Sequence, residues 1–94
     1  MKITGLIWLD EIVDKIESKH HVTQIEIEEV LSGRPKIKRM LRGRFRGEDV
    51  YGALGRTKAG RYLTVFFIHK LTGEALVLSV RDMDKKEKKS YEKK

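Results

Sequence analysis

Ninety-four residues with no cysteine and a formal net charge of +7 exclude disulfide staples and thiolate metal sites. A chain of this length supports one hydrophobic core and buries roughly 60–70% of its unfolded surface, enough to fold alone with no large reserve. No apolar run nears the ~20 residues of a membrane span. The opening MKITGLIWLDEIVDKI does not read as a secretory leader. The expectation is a single domain spanning residues 1–94, in the cytoplasm.

Charge is distributed unevenly. Residues 1–32 carry three lysines and seven acids, a net −4, while residues 33–94 carry 18 lysines or arginines and seven acids, a net +11. Such polarity predicts a cationic working surface for a polyanion, with an acidic cap elsewhere. Solubility, or the Lys/Glu surplus of a heat-adapted protein, would give a similar composition.

In chain order, Ile3 to Trp8 is a short apolar run that suits an opening strand. Leu9, Ile12, Val13 and Ile16 then recur at helical spacing, with Asp10 and Glu11 in the first turn and Lys19 and His20 near the end. A helix over roughly 9–19 follows, its charges matched to the helix dipole. Thr23 and Glu26 form a capping box for a second helix, and Val22 with Ile27 makes a hydrophobic staple. Gly33 suits a left-handed position after that helix, and Pro35 bars its continuation.

Lys36 to Arg46 contains Lys36, Lys38, Arg39, Arg42, Arg44 and Arg46 without an acid. It reads as an edge strand or hairpin arm whose cations either meet phosphates or keep the edge from pairing with other sheets. Val50 to Thr57 is a strand in which Gly52 and Gly55 mark bulges or close backbone approaches. Thr57 to Arg61 is a hairpin connection with Gly60 free to take positive φ. Arg61 to His69 is apolar on both faces at mid-strand and is placed at the sheet centre. After a turn at Gly73, Ala75 to Arg81 forms another strand, with Ser79 and Arg81 expected on one face and Leu76, Leu78 and Val80 on the other. Asp84 and Glu87 cap a final Lys-rich helix, and residues 92–94 form a frayed basic tail. The order β-α-α-β-β-β-β-α predicts an α+β domain: a small antiparallel sheet of four to five strands, with two N-terminal helices and one C-terminal helix packed on it.

Several separated motifs resemble one family, in order along nearly the whole chain. Trp8-Leu9-Asp10-Glu11, Lys19-His20-x-Val22-Thr23 and Glu28-Glu29 are similar to the opening W-D-E … K-H-G-V-S-F-E-E-A of the BrnT toxins of bacterial toxin–antitoxin systems. Gly55-Arg56-Thr57 and Gly60-Arg61-Tyr62-Leu63 continue the likeness. Ser79-Val80-Arg81-x-Met83, with Glu87 and Tyr91, resembles the family's S-A-R-x-M-T-x-x-E-x-x-x-Y. The chain departs from the pattern in having Ile16 for Asn, His21 for Gly and Val80 for Ala. The resemblance implies a ribonuclease toxin with a fold similar to the RelE toxins, silenced by a BrnA-type antitoxin. It leaves open whether the chain forms a homodimer.

Metal-independent RNA cleavage uses the adjacent 2′-hydroxyl as nucleophile. It needs a base for that hydroxyl, cations on the phosphate and an acid for the departing 5′-oxygen. The candidate catalytic residues are His20, Arg56, Arg61 and Arg81. Arg81 is either a phosphate ligand or a partner of Asp82, Asp84 or Glu87. Arg56 and Arg61 flank the hairpin turn and either clamp the same phosphate or hydrate its mouth. His20 titrates near neutrality, as an acid–base residue should, although a lone histidine is commonly structural. Lys19, Lys38, Arg39, His69 and Tyr91 are candidate substrate contacts. His69 shares a strand face with Arg61, and Tyr91 either presents its hydroxyl and ring to RNA or packs in the core. His21 has a weaker claim, and no cofactor or metal is expected. Two other functions fit the composition: a nucleic-acid-binding module using Tyr51 or Tyr62 for stacking, and an interaction subunit whose basic face holds an acidic protein.

Overall fold

The computed structural model describes residues 1–93. Its elements are β1 (Gly5–Ile7), α1 (Asp10–His20), α2 (Gln24–Ser32), β2 (Lys36–Leu41), β3 (Val50–Arg56), β4 (Tyr62–His69), β5 (Glu74–Asp82) and α3 (Lys85–Glu92). They build a five-stranded sheet of order β1-β5-β4-β3-β2. The α+β expectation holds, and the pairings from β2 through β5 are antiparallel. One pairing departs from the expected antiparallel sheet, because β1 joins the edge parallel to β5. The chain leaves β1 directly into α1, so no hairpin imposes an antiparallel neighbour on it.

One face of the sheet carries the core. Ala53, Leu63, Val65, Phe67, Ala75, Val77 and Val80 pack there beneath Ile16 of α1 and Ile27, Val30 and Leu31 of α2, all buried. Full burial contributes about 1.5–3 kcal/mol for each large apolar side chain, so this layer is the main source of stability. Gly55 lies directly beneath α2. A β-carbon there would lie 2.8 Å from Val30 Cγ1, which explains the glycine without any bulge in the β3–β4 register.

Both capping boxes form, at Thr23/Glu26 and at Asp84/Glu87. The left-handed residue expected at Gly33 is found instead at His21, with φ 53°, closing α1 through a Val22 N–H to Ile16 carbonyl bond of 3.0 Å. Gly33 has φ −78° and is tight against the Glu29 carbonyl as the chain turns toward Pro35.

The expected face assignment along β5 needs correction. The pairing shifts between Phe66↔Ser79 and Phe67↔Val77, so an extra residue enters β5. That bulge reverses the alternation. Val80 joins Ala75 and Val77 in the core, while Leu76 lies opposite Ile68 on the other face, the face that also carries Ser79 and Arg81.

Of the tail expected at residues 92–94, Glu92 and Lys93 are described. Glu92 closes α3, and Lys36 Nζ donates to the Ser90 carbonyl at 2.7 Å and also to the Lys93 carbonyl. Lys94 lies outside the described residues. Among the described residues, no helix is long and apolar enough to cross a membrane.

Candidate functional site

The face opposite the core is only partly covered, by α3. Register decides what it displays, since residues directly opposite in an antiparallel pair share a face. Arg56 lies opposite Tyr62, Leu54 opposite Thr64, and Thr64 opposite Arg81. Arg56 and Arg81 therefore stand on one face, on either side of β4. The intervening turn is tightly built: Thr57 and Arg61 exchange bonds of 2.9 and 3.0 Å, and Gly60 has φ 94°.

Tyr62 is the centre of this face. The Arg56 guanidinium lies 4.8 Å from its ring centroid and Lys88 Nζ lies 4.6 Å from it. Tyr91 meets the ring edge-on at 6.0 Å, and the Tyr62 hydroxyl donates to Glu92 Oε2 at 3.2 Å. Among the described residues, neither Arg56 nor Lys88 pairs with a carboxylate. Two cations converge on one ring while the nearby Glu92 carboxylate is bonded to the ring's hydroxyl and pairs with neither, and the ring quadrupole offsets only about 0.5–1 kcal/mol at exposed positions.

Arg81 lies over Phe66 at 5.4 Å and binds both carboxylate oxygens of Glu87, with Nη2 2.7 Å from Oε2. Asp84 Oδ2 is 3.9 Å from it. Glu87 also accepts the Asp84 N–H at 3.0 Å, so Arg81 is fastened to the start of α3. Of the two roles open to Arg81, the ion pair is formed. It does not remove the guanidinium from solvent, because 42% of the side chain remains exposed. Lys38 lines a neighbouring hollow of about 280 Å³ with Met40, Gly52, Thr64 and Lys86. A larger hollow of about 450 Å³ between β1 and α2 contains Glu28 but no basic side chain, which places it apart from this chemistry.

The remaining candidates lie elsewhere. Arg61 is on the core side of the sheet and is fully engaged. Its Nε and Nη2 reach Asp82 at 2.9 and 3.2 Å, Nη1 donates to the His21 carbonyl at 2.7 Å, and Nη2 to that of His20 at 3.0 Å. Glu26 Oε2 lies 3.8 Å away. Arg61 thus ties the ends of α1 and β5 together, on the face of the sheet opposite Arg56. The hydrogen bond from Arg61 holds the Asp82 carboxyl below the ordinary carboxylate range against the opposing effect of burial, and the His20 charge adds to the lowering. The same bond raises the Arg61 guanidinium.

His20, and the exposed Lys19 beside it, end α1 on that side of the sheet, away from Arg81. His69 shares a face with Arg61 but sits at the opposite end of β4, where Nε2 meets the Lys2 carbonyl at 3.0 Å and Tyr51 contacts its ring edge-on. Arg39 alternates away from Lys38 and pairs with Asp49 at 3.5 Å. Of the nine candidates, Arg56, Arg81, Tyr91 and Lys38 share the α3 face; His20, Arg61, Lys19, His69 and Arg39 do not. The sequence reading missed Lys88 and Glu92, and gave Tyr62 a stacking role only. The signal for Tyr62 lay in the hairpin, since Arg56 and Tyr62 flank the Thr57–Arg61 turn symmetrically. No group of three or more His, Asp or Glu able to hold a metal ion occurs among the described residues.

Neither a protein-family model nor a curated protein matches this chain.

Proposed function

We propose that this chain is the toxin of a toxin–antitoxin pair, a metal-independent ribonuclease that acts on the α3 face and is neutralised by a BrnA-type antitoxin in the cytoplasm. The observation that carries this reading is the convergence of Arg56 and Lys88 on Tyr62, with Arg81 across β4. A phosphate seated there would gain planar, permanently charged donors from Arg56 and Arg81 and a compact one from Lys88. Tyr62 is the hydroxyl suited to proton transfer, with Glu92 as its acceptor at 3.2 Å. The 2′-hydroxyl gives its proton to the Glu92 carboxylate as its oxygen bonds to phosphorus, the P–O5′ bond breaks with the Tyr62 proton passing to the departing 5′-oxygen, and the cations stabilise the added charge of the transition state. The resemblance gains support from His21: among the described residues it is the one non-glycine position with positive φ, and the family carries Gly there.

The test is cleavage of a structured RNA and its DNA counterpart in EDTA. RNA-only cleavage is expected, with Arg56→Ala and Arg81→Ala each lowering kcat/KM about 10²–10³-fold. Arg61→Ala should act through stability instead. A second reading, an RNA-binding module without catalysis, is favoured by one observation: neither His20 nor His69 lies on the α3 face. Intact RNA with salt-sensitive binding would decide for it.

A further inference from the structure

We propose that the tip joining β2 to β3, Arg42-Gly43-Arg44-Phe45-Arg46-Gly47, is a second contact for single-stranded RNA. Phe45 takes a base by stacking, and the three arginines take the flanking phosphates. The choice of RNA rests on the ribonuclease reading; the site itself does not.

The tip alternates cation and small or aromatic residue without an acid. Phe45 is 67% exposed, although no turn of this kind requires an aromatic side chain. Among the described residues, Arg42, Arg44 and Arg46 form no ion pair: of the two acids that follow the tip, Asp49 is taken by Arg39 at 3.5 Å and by the Gly43 N–H at 2.7 Å, and Glu48 pairs with none of them. The tip has a defined shape. A β-carbon on Gly43 would lie 2.4 Å from the Glu48 carbonyl oxygen, and Gly47, at φ 77°, is pressed against Leu71. Beside it a hollow of about 280 Å³ is lined by Tyr51, His69, Lys70, Leu71 and the already engaged Asp49, adding aromatic surface and a further cation.

This combination matches how single strands are held, by cations that track the backbone and rings that accept any base face. A duplex has no free base face for Phe45 to meet. The tip stands at the Val50 end of β3 and Arg56 at the other. That separation is about 20 Å at the usual strand rise, too far for both to touch one phosphate. The tip therefore anchors the strand and leaves the reacting phosphate to Arg56 and Arg81.

The experiment titrates the intact protein and its Phe45→Ala, Phe45→Trp and Arg44→Ser variants with a short oligouridylate, with heparin and with phosphatidylserine vesicles. Phe45→Ala should weaken oligouridylate binding about tenfold, Phe45→Trp should restore it, and heparin binding should be unchanged in both. Arg44→Ser should reduce the slope of log affinity against log salt by about 0.7. Unfolding midpoints should match the wild type, since Phe45 is exposed. Unchanged oligouridylate affinity in Phe45→Ala overturns the proposal. So does a loss confined to vesicles, which would make the tip a membrane contact. If Phe45 governs binding and no RNA is cut, the tip stands and the ribonuclease reading falls. If RNA is cut and Phe45→Ala binds normally, the reverse holds.

Discussion

At Arg61 the guanidinium is surrounded by acceptors of this protein: both Asp82 oxygens and the carbonyls that end α1. Lysine carries the same charge but cannot reproduce the planar fork, so two or more of these bonds would be lost. Arg61→Lys should therefore lower stability by about 2 kcal/mol, read as a lower urea midpoint at unchanged slope. A variant that unfolds with the wild type would show that the bonds contribute nothing. The same contact sets a pH dependence. The folded-state pKa of Asp82 is depressed, so its stabilisation is present above the unfolded carboxylate value of about 3.9 and is lost as pH falls through the lower folded value. Because the Asp82 side chain is largely exposed, the effect should stay within about 1 kcal/mol. Asp82→Asn should be less stable than wild type near neutrality and show a shallower loss in acid; parallel acid curves would refute the assignment.

Between elements, the contact of α2 with β3 is the least forgiving. Gly55→Ala forces a methyl against Val30 Cγ1 and should cost about 1–3 kcal/mol, the usual range for overpacking. Adding Val30→Ala opens the space, so the double variant should lose less than the sum of the two single losses, as thermal unfolding of all three would reveal. Strict additivity would place the strain elsewhere. α3 has the opposite character. It buries no residue and is held by the Arg81–Glu87 pair, by Lys36 at its last carbonyls and by Tyr91 against Tyr62. A helix this short is marginal without such ties. Most of the α3-face chemistry thus depends on an element of low intrinsic stability.

Across the whole molecule, the sheet separates the acidic and basic parts of the chain. The acid-rich α1 and α2 cover one face, while β2, β3 and α3 bring lysines and arginines to the other. RNA affinity should fall at least tenfold between about 50 and 200 mM salt if several phosphates are engaged. Reversing two exposed acids of α1, in an Asp14→Lys/Glu17→Lys variant, should change that affinity by no more than about twofold. Those charges lie across the sheet from the cations, where screening over about 8–10 Å mutes them. A large gain measured by fluorescence anisotropy would mean that RNA also reaches the helical face.

Much of this was legible in the residues themselves. Thr23/Glu26 and Asp84/Glu87 announce their helices because a capping box is a local arrangement within four residues, and Gly60 announces its turn because positive φ is a property of one residue. The largely apolar run from Leu63 to Ile68 marks the central strand for a similar reason: one face is buried in the core and the other is at least half-buried, which leaves little room for polar alternation. What the sequence could not settle is how separate segments meet. Arg56, Arg61 and Arg81 are alike in sequence. Only register and the β5 bulge place Arg56 and Arg81 on one face beside Tyr62, and direct Arg61 into the carbonyls of α1. His20 and His69 have the right chemistry for proton transfer, but the sheet and the length of β4 keep them from Arg81. Local conformation follows from short-range sterics and hydrogen bonding and is therefore written in neighbouring residues; the site depends on pairings between distant segments, which only the folded chain decides.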